Sequence, residues 1–313
     1  MSSIRGVLAL LLLVTLAACT TADGRATGGP TGDGAPAPAR AAVTAVAPTV
    51  LIGAGDIATC DSTADSRTLV LLERFGGTVF TLGDNVYPDG TRTDFARCYG
   101  PTWGRVKART RPVVGNHEYH VRGATPYFDY FGSRAGPRGK GYYSYDAGAW
   151  HVVVLNTNCS VVPGGCARGS AQERWLRADL AASGARCTVA MVHHPLFTSA
   201  AKHPPETRIR PLVQALYDAG TELMMAGHNH MYERFAPQTP TGRRDTVRGI
   251  RQIVAGTGGA GLYPFGRTVA NSEVRNDRTY GVVRLTLRPG SFRWDFIPAG
   301  GARFSDTGGG TCH

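Results

Sequence analysis

Lysine is scarce in this chain: of 34 basic residues only Lys107, Lys140 and Lys202 are lysines, and the remainder are arginines. The net charge of +11 is therefore carried by scattered guanidinium groups. No basic patch is interleaved with aromatics, so the charge makes no case for nucleic acid as a partner. It suits the attraction of phosphate anions or of acidic envelope polymers. No Cys-X-X-Cys occurs among the seven cysteines, which removes the usual spacing of a zinc–thiolate site. There is no internal repeat of solenoid length. The apolar stretch from Val7 to Leu16 falls short of the ~20 residues that a membrane-spanning helix needs.

That short stretch has a different use. Arg5 precedes it and Leu16-Ala17-Ala18-Cys19 closes it, a charged start, apolar core and small-residue cleavage site that read as an export signal. Leu-Ala-Ala-Cys also resembles the bacterial lipobox, in which Cys19 becomes a lipidated first residue. Residues 1–18 are thus expected to be a signal peptide. Residues 19–48, the lipidated Cys followed by Ala, Gly, Pro and Thr with almost no large apolar side chain, form a flexible tether. The mature protein is expected at the cell surface or in the periplasm, touching the membrane through its lipid only, with plain secretion as the alternative. Residues 49–313 suffice for one large α/β domain. An oxidising compartment invites disulfides among the six other cysteines. Cys159 and Cys166 flank a Gly-Gly loop, Cys60 with Cys98 would tie two loops together, and Cys187 with Cys312 remains by elimination.

Metal-ligating residue types fall in five separated clusters: Gly55-Asp56, Gly83-Asp84-Asn85-Val86-Tyr87, Gly115-Asn116-His117-Glu118, His193-His194 and Gly227-His228-Asn229-His230. Four directly follow an apolar run, and Asp56 follows Val50-Leu51-Ile52 after a short Gly-Ala-Gly turn. An apolar run that opens into Gly and then Asp, Asn or His is what a buried parallel strand looks like where its carboxyl end meets a ligand-bearing loop. If Val50–Ile52, Val79–Leu82, Val113–Val114, Val189–Val192 and Leu223–Ala226 are neighbours in one sheet, these residues converge on one cleft. In Gly-His-Asn-His the imidazoles at i and i+2 point the same way on extended chain. Asp84 has two carboxylate oxygens and can bind two cations. Mixed N and O ligation with a phenol and without cysteine suits iron, zinc or manganese.

Helical apolar spacing marks Ala64–Phe75, Ser170–Ala182 and Arg208–Ala219, each followed by an apolar strand. Tyr142–Tyr145 and Trp150–Leu155 read as a hairpin turning near Asp146-Ala147-Gly148. Ile250–Ala255, Val282–Leu287 and Phe292–Ile297 read as further strands completing a second sheet.

From about Val50 to Gly259 the motifs resemble the calcineurin-like metallophosphoesterase superfamily, and within it the purple acid phosphatase branch. Many relatives outside that branch carry a metal-binding His two residues after the first Asp, where this chain has Ala58. The branch lacking that His has a Tyr three residues after the second Asp, and Tyr87 stands there. Ala58 also replaces the Gly that usually closes the branch's first motif. The resemblance implies a four-layer α/β/β/α sandwich of two mixed β-sheets flanked by helices. It implies one metal on Asp56, Asp84, Tyr87 and His230, and a second on Asp84, Asn116, His193 and His228. Either His193 or His194 suits a ligand by residue type, and the family's His-X-Pro pattern favours His193.

In the family the first ion is ferric iron and the second zinc, manganese or ferrous iron. Two such cations activate a hydroxide that attacks phosphorus in line. His117 is then the expected general acid, and His194 and His203 are candidate substrate contacts. Glu118 is expected to orient its loop, and His120, His151 and His313 to be surface or structural groups. The expected activity is hydrolysis of small phosphate monoesters. Alternatives are a phosphodiesterase on the same metals or a low-turnover surface binding protein.

Overall fold

Buried strands in this chain are short apolar runs, and the loops that follow them carry the polar residues. The computed structural model describes residues 47–313. Cys19, the signal segment and nearly all of the tether lie outside the described residues. The strands are, in chain order, β1 Thr49–Ala54, β2 Thr78–Thr81, β3 Thr110–Arg111, β4 Tyr143–Ala147, β5 Trp150–Val154, β6 Cys187–Met191, β7 Leu223–Ala226, β8 Tyr232–Phe235, β9 Arg251–Ala255, β10 Ser272–Asn276, β11 Gly281–Arg288, β12 Ser291–Pro298 and β13 Asp306–Thr311. The α-helices are α1 Ala64–Arg74, α2 Arg92–Asp94, α3 Thr125–Phe131, α4 Ala171–Ala182 and α5 Arg210–Asp218.

Two mixed sheets result. One is ordered β13-β12-β11-β1-β2-β3, with β1, β2 and β3 parallel and the others antiparallel. The other is ordered β10-β8-β9-β7-β6-β5-β4, with a parallel centre of β5, β6, β7 and β9. Period-two alternation decides which layer each side chain enters. Leu51 and Phe80 from the first sheet meet Val152, Val189, Met191 and Leu223 from the second in one buried cluster. Ile52, Ala54 and Val79 face the other way, onto Leu69 and Leu72 of α1 and Tyr127 and Phe128 of α3. Val153, Ala190 and Met224 likewise face outward onto Leu176 of α4 and Leu212, Val213 and Leu216 of α5. The arrangement is the four-layer α/β/β/α sandwich. Full burial of each such aliphatic side chain contributes about 1.5–3 kcal/mol. Ser170 starts α4 by accepting the Glu173 backbone N–H at 3.2 Å, which satisfies one of the free donors of the first turn.

Three strand expectations need correction. The five clusters do not come from one sheet: β1, β2 and β3 belong to the first, and β6 and β7 to the second. Both kinds of strand are apolar on two faces, so nothing local says which will pair. β11 and β12 add to the β1 sheet, while β9 lies in the other. Val113-Val114 lies outside β3, which spans only Thr110–Arg111. The Val113 N–H is bound instead by the Thr81 hydroxyl at 3.1 Å. The three disulfides are Cys60–Cys98, Cys159–Cys166 and Cys187–Cys312, with Cα separations of 4.9, 5.1 and 5.5 Å.

Candidate metal centre

The carboxyl ends of β1, β2, β6 and β7, with the loop after β3, open on the same cleft, so the two sheets contribute opposite walls. Tyr87 Oη lies 3.0 Å from Asp56 Oδ1, 3.1 Å from Asp84 Oδ2 and 2.9 Å from His230 Nε2. His230 Nε2 is 3.3 Å from Asp56 Oδ1. A second group centres on His193 Nε2, which is 3.0 Å from Asn116 Oδ1, 3.2 Å from His228 Nδ1 and 3.4 Å from Asp84 Oδ1. Asp84 turns one oxygen to each group.

Whether cations fit can be tested on these distances. Donors about 2.1 Å from an ion and at right angles to one another sit ~3 Å apart. Both groups have that spacing. The imidazoles are also turned correctly: His193 Nδ1 is 2.7 Å from the Leu82 carbonyl and His230 Nδ1 is 2.6 Å from the Gly261 carbonyl. A carbonyl can only accept, so each Nδ1 carries a hydrogen and Nε2 is the nitrogen left to bind a cation, which would displace any proton there. The donor set therefore fits two cations, with Asp56, Asp84, Tyr87 and His230 able to hold one and Asp84, Asn116, His193 and His228 the other.

The electrostatics carry the same mark. Burial alone would raise the Asp84 carboxyl, but the His193 and His117 imidazoles hold it well below the usual range. Burial would lower His193, yet the Asp84 carboxylate raises it to about 9. Burial, followed by the His193 and His194 imidazoles, drives His228 far down. Tyr87 is pushed well up, first by burial and then by the Asp56 and Asp84 charges. A phenol wedged between two carboxylates ionises only if a cation compensates it.

Backbone strain gathers here too. Asp56, Asp84 and His228 have φ of 59°, 47° and 68°, a region that costs a residue with a side chain about 1 kcal/mol or more. Ala58 is not among the positive-φ residues, and it bridges Val86, so replacement of Gly there leaves the local geometry intact. Gly115 is required for space: a Cβ there would stand 2.1 Å from Asp84 Oδ1. Glu118, fully buried, accepts the Asn85 N–H at 2.7 Å and the Gly115 N–H at 2.6 Å, and so ties the loops after β2 and β3. Burial, then the Asp84 charge, raises its carboxyl to about 7.

The partly exposed His117 donates from Nδ1 to the Pro88 carbonyl. Its Nε2 is 3.9 Å from Asp84 Oδ2, at the open side of the cleft. His194 packs against His228 with ring centroids 4.3 Å apart. Thr157 Oγ1 accepts the His194 backbone N–H at 2.9 Å and lies 2.9 Å from its Nδ1, so one hydroxyl fixes both the backbone and the ring and occupies Nδ1. His203 is half-buried over the same ring, at 4.5 Å from His228. His120 pairs with exposed Asp89, and His151 is buried between Asp146 and Asp179 at 3.0 and 2.8 Å; neither joins the donor groups.

Sequence reasoning missed Tyr263 and Gly261. The Tyr263 ring stacks on His230 at 4.0 Å and 13°, and Lys202 Nζ lies 4.1 Å from the centroid of that same ring. Their signal was the Gly-rich run Gly256–Gly261 after a strand, closed by an aromatic. Among the described residues Cys187, Glu222 and Cys312 also cluster, but the disulfide takes both sulfurs out of metal chemistry.

The family model for calcineurin-like phosphoesterases matches residues 51–232. Purple acid phosphatase 15 of Arabidopsis thaliana is 27% identical over 58% of this chain and 40% of its own length. Purple acid phosphatase 21 of the same plant is 30% identical over 59% and 44%. The chain thus spans less than half the length of these relatives. The structure of purple acid phosphatase PPD1 from yellow lupin seeds superposes with a TM-score of 0.69 at 17% identity, covering 84% of this chain and 53% of that one. GAP50, the anchor in the inner membrane complex of Plasmodium, gives 0.64 at 12% identity over 86% and 90%. At such identities these two likenesses speak for the fold alone.

Proposed function

The chain belongs to the calcineurin-like phosphoesterase family, and we propose that it hydrolyses small phosphate monoesters at a pair of metal ions, as an exported, lipid-anchored enzyme of the purple acid phosphatase type. The observation that carries this reading is Asp84, whose two oxygens address two separate donor groups. Paired cations polarise phosphate oxygens, supply a nucleophile at neutral pH and stabilise the departing oxygen. Tyr87, with no sulfur donor near, suits ferric iron in the first position; zinc, manganese or ferrous iron suits the second.

The chain's own residues supply the remainder. His117, fixed through Nδ1 by the Pro88 carbonyl, aims Nε2 into the cleft, where a proton held on that atom can pass to the leaving alkoxide. With Nδ1 occupied by Thr157, His194 can offer Nε2 to a phosphate oxygen, and His203, packed on His228, is a second substrate contact in this reading. Cys19 is the lipid attachment point in this reading, and a Cys19→Ser variant should appear in the medium rather than in the membrane fraction.

The test is paired turnover of an aryl phosphate monoester and its diester, with elemental analysis and a visible spectrum of the same sample. The reading predicts about two metals per chain, preference for the monoester, violet colour from tyrosinate on ferric iron, and loss of activity on chelation. Preference for the diester moves the assignment to a phosphodiesterase. A metal-loaded protein that turns over neither ester is a binding protein, and the proposal fails.

A further inference from the structure

A groove of about 680 Å³ is built on the segments that follow Thr157 and dock on Pro195, the two residues flanking His194. Its walls are the loop closed by the Cys159–Cys166 disulfide and the entry to α5, and three guanidinium groups line it: Arg168, Arg208 and Arg210. The chain leads directly from one site to the other. Thr157, which holds His194, lies two residues before Cys159. The Glu206 N–H donates to the Pro195 carbonyl at 3.0 Å, which docks the Arg208 segment on the residue after His194.

The three arginines are not equivalent. Arg208 is engaged by Glu206, with Nε–Oε1 at 2.9 Å and Nη2–Oε2 at 2.6 Å. Arg168 and Arg210 are exposed and form no ion pair within 4.0 Å among the described residues, although the Arg168 charge reaches the Glu173 carboxylate. Both rise from stiffened backbone, Arg168 two residues after a disulfide cysteine and Arg210 immediately before Pro211. Paired planar forks on fixed walls suit carboxylate or phosphate oxygens, and the volume is that of a small-molecule site.

We propose that this groove receives a second anionic group of the substrate, so that the preferred substrates are organic phosphate esters bearing another phosphate or carboxylate away from the scissile bond. The inference rests on the phosphatase reading above and adds the substrate class to it. Arg168 and Arg210 are specificity residues here and take no part in bond breaking.

The experiment compares a hexose monophosphate with the corresponding bisphosphate, by steady-state kinetics and by calorimetric binding, in the metal-loaded protein. The wild type should show a KM and Kd for the bisphosphate roughly tenfold lower, the weight of two exposed charge-assisted contacts. The double variant Arg168→Ala/Arg210→Ala should erase that gap while leaving kcat and KM for the monophosphate unchanged. Arg210→Glu alone should reverse it. Equal KM for the two esters in the wild type, or a gap that survives in the double variant, overturns the proposal while the phosphatase reading stands. Turnover of neither sugar ester while the aryl monoester is still hydrolysed also overturns the proposal alone, and failure on all three brings down both together.

Discussion

Two buried carboxylates sit at opposite ends of the strands, and the fold treats them in opposite ways. Asp84, beyond the carboxyl end of β2, is held ionised against burial by His193 and His117. Glu222, just before β7, is also buried, accepts the Thr188 N–H at 2.7 Å and has no hydrogen bond to Oε1, whose nearest cationic group is the His313 ring at 3.9 Å. Burial raises its carboxyl to about 7. A single scaffold thus keeps a charge at one end at the cost of crowded donors and left-handed backbone, and suppresses it at the other. The contrast marks the first end as built for cations, because close-set donors and strained residues persist only where something else compensates them.

The largest effect should come from making Asp84 resemble its counterpart. Asp84→Asn removes the charge that both donor groups share, and activity should fall by more than the ~100-fold typical of losing an outer-shell partner. Metal content, measured on the same sample, should fall with it; a fully loaded and active variant would erase the contrast. His117→Ala should next lower turnover by roughly 10²–10⁴-fold, the usual weight of a general acid. Metal content should remain at the wild-type level, and loss of metal with unimpaired turnover per ion would remove His117 from that role.

Glu222→Gln sharpens the other side. A carboxyl whose folded pKa lies above its unfolded value near 4.5 binds its proton more tightly when folded. Its stabilising contribution is therefore complete below pH 4.5 and is lost as pH rises through about 7. The Gln variant should be more stable than the wild type at pH 8 by up to about 3 kcal/mol, and the difference should vanish near pH 4. Denaturant unfolding at both pH values reads this, and turnover should be unchanged.

Much of the cleft was legible because ligand-bearing residues follow apolar runs, and Gly-Asp, Gly-Asn-His and Gly-His-Asn-His each close one. Three helices, α1, α4 and α5, were legible from their spacing to within a few residues, while α2 and α3 were not foreseen. Sheet membership was not. β1 and β6 read alike as runs buried on both faces, and only tertiary packing sends them to different sheets. β13 was hidden for another reason: Gly308, Gly309 and Gly310 carry no strand signal, yet a Cβ on Gly308 would stand 2.2 Å from the Trp294 ring, so the close approach of β12 demands glycine. Tyr263 escaped because the Gly-rich run before it marks a loop after β9 but does not say that the loop folds back over His230.

Anomalous X-ray scattering from crystals of the metal-loaded protein tests the central claim most directly. Two peaks ~3.5–4 Å apart, one on each side of the Asp84 carboxylate, are predicted, with Tyr87 bound to one and Asn116 to the other. A single ion, or ions seated away from Asp84, would contradict the account.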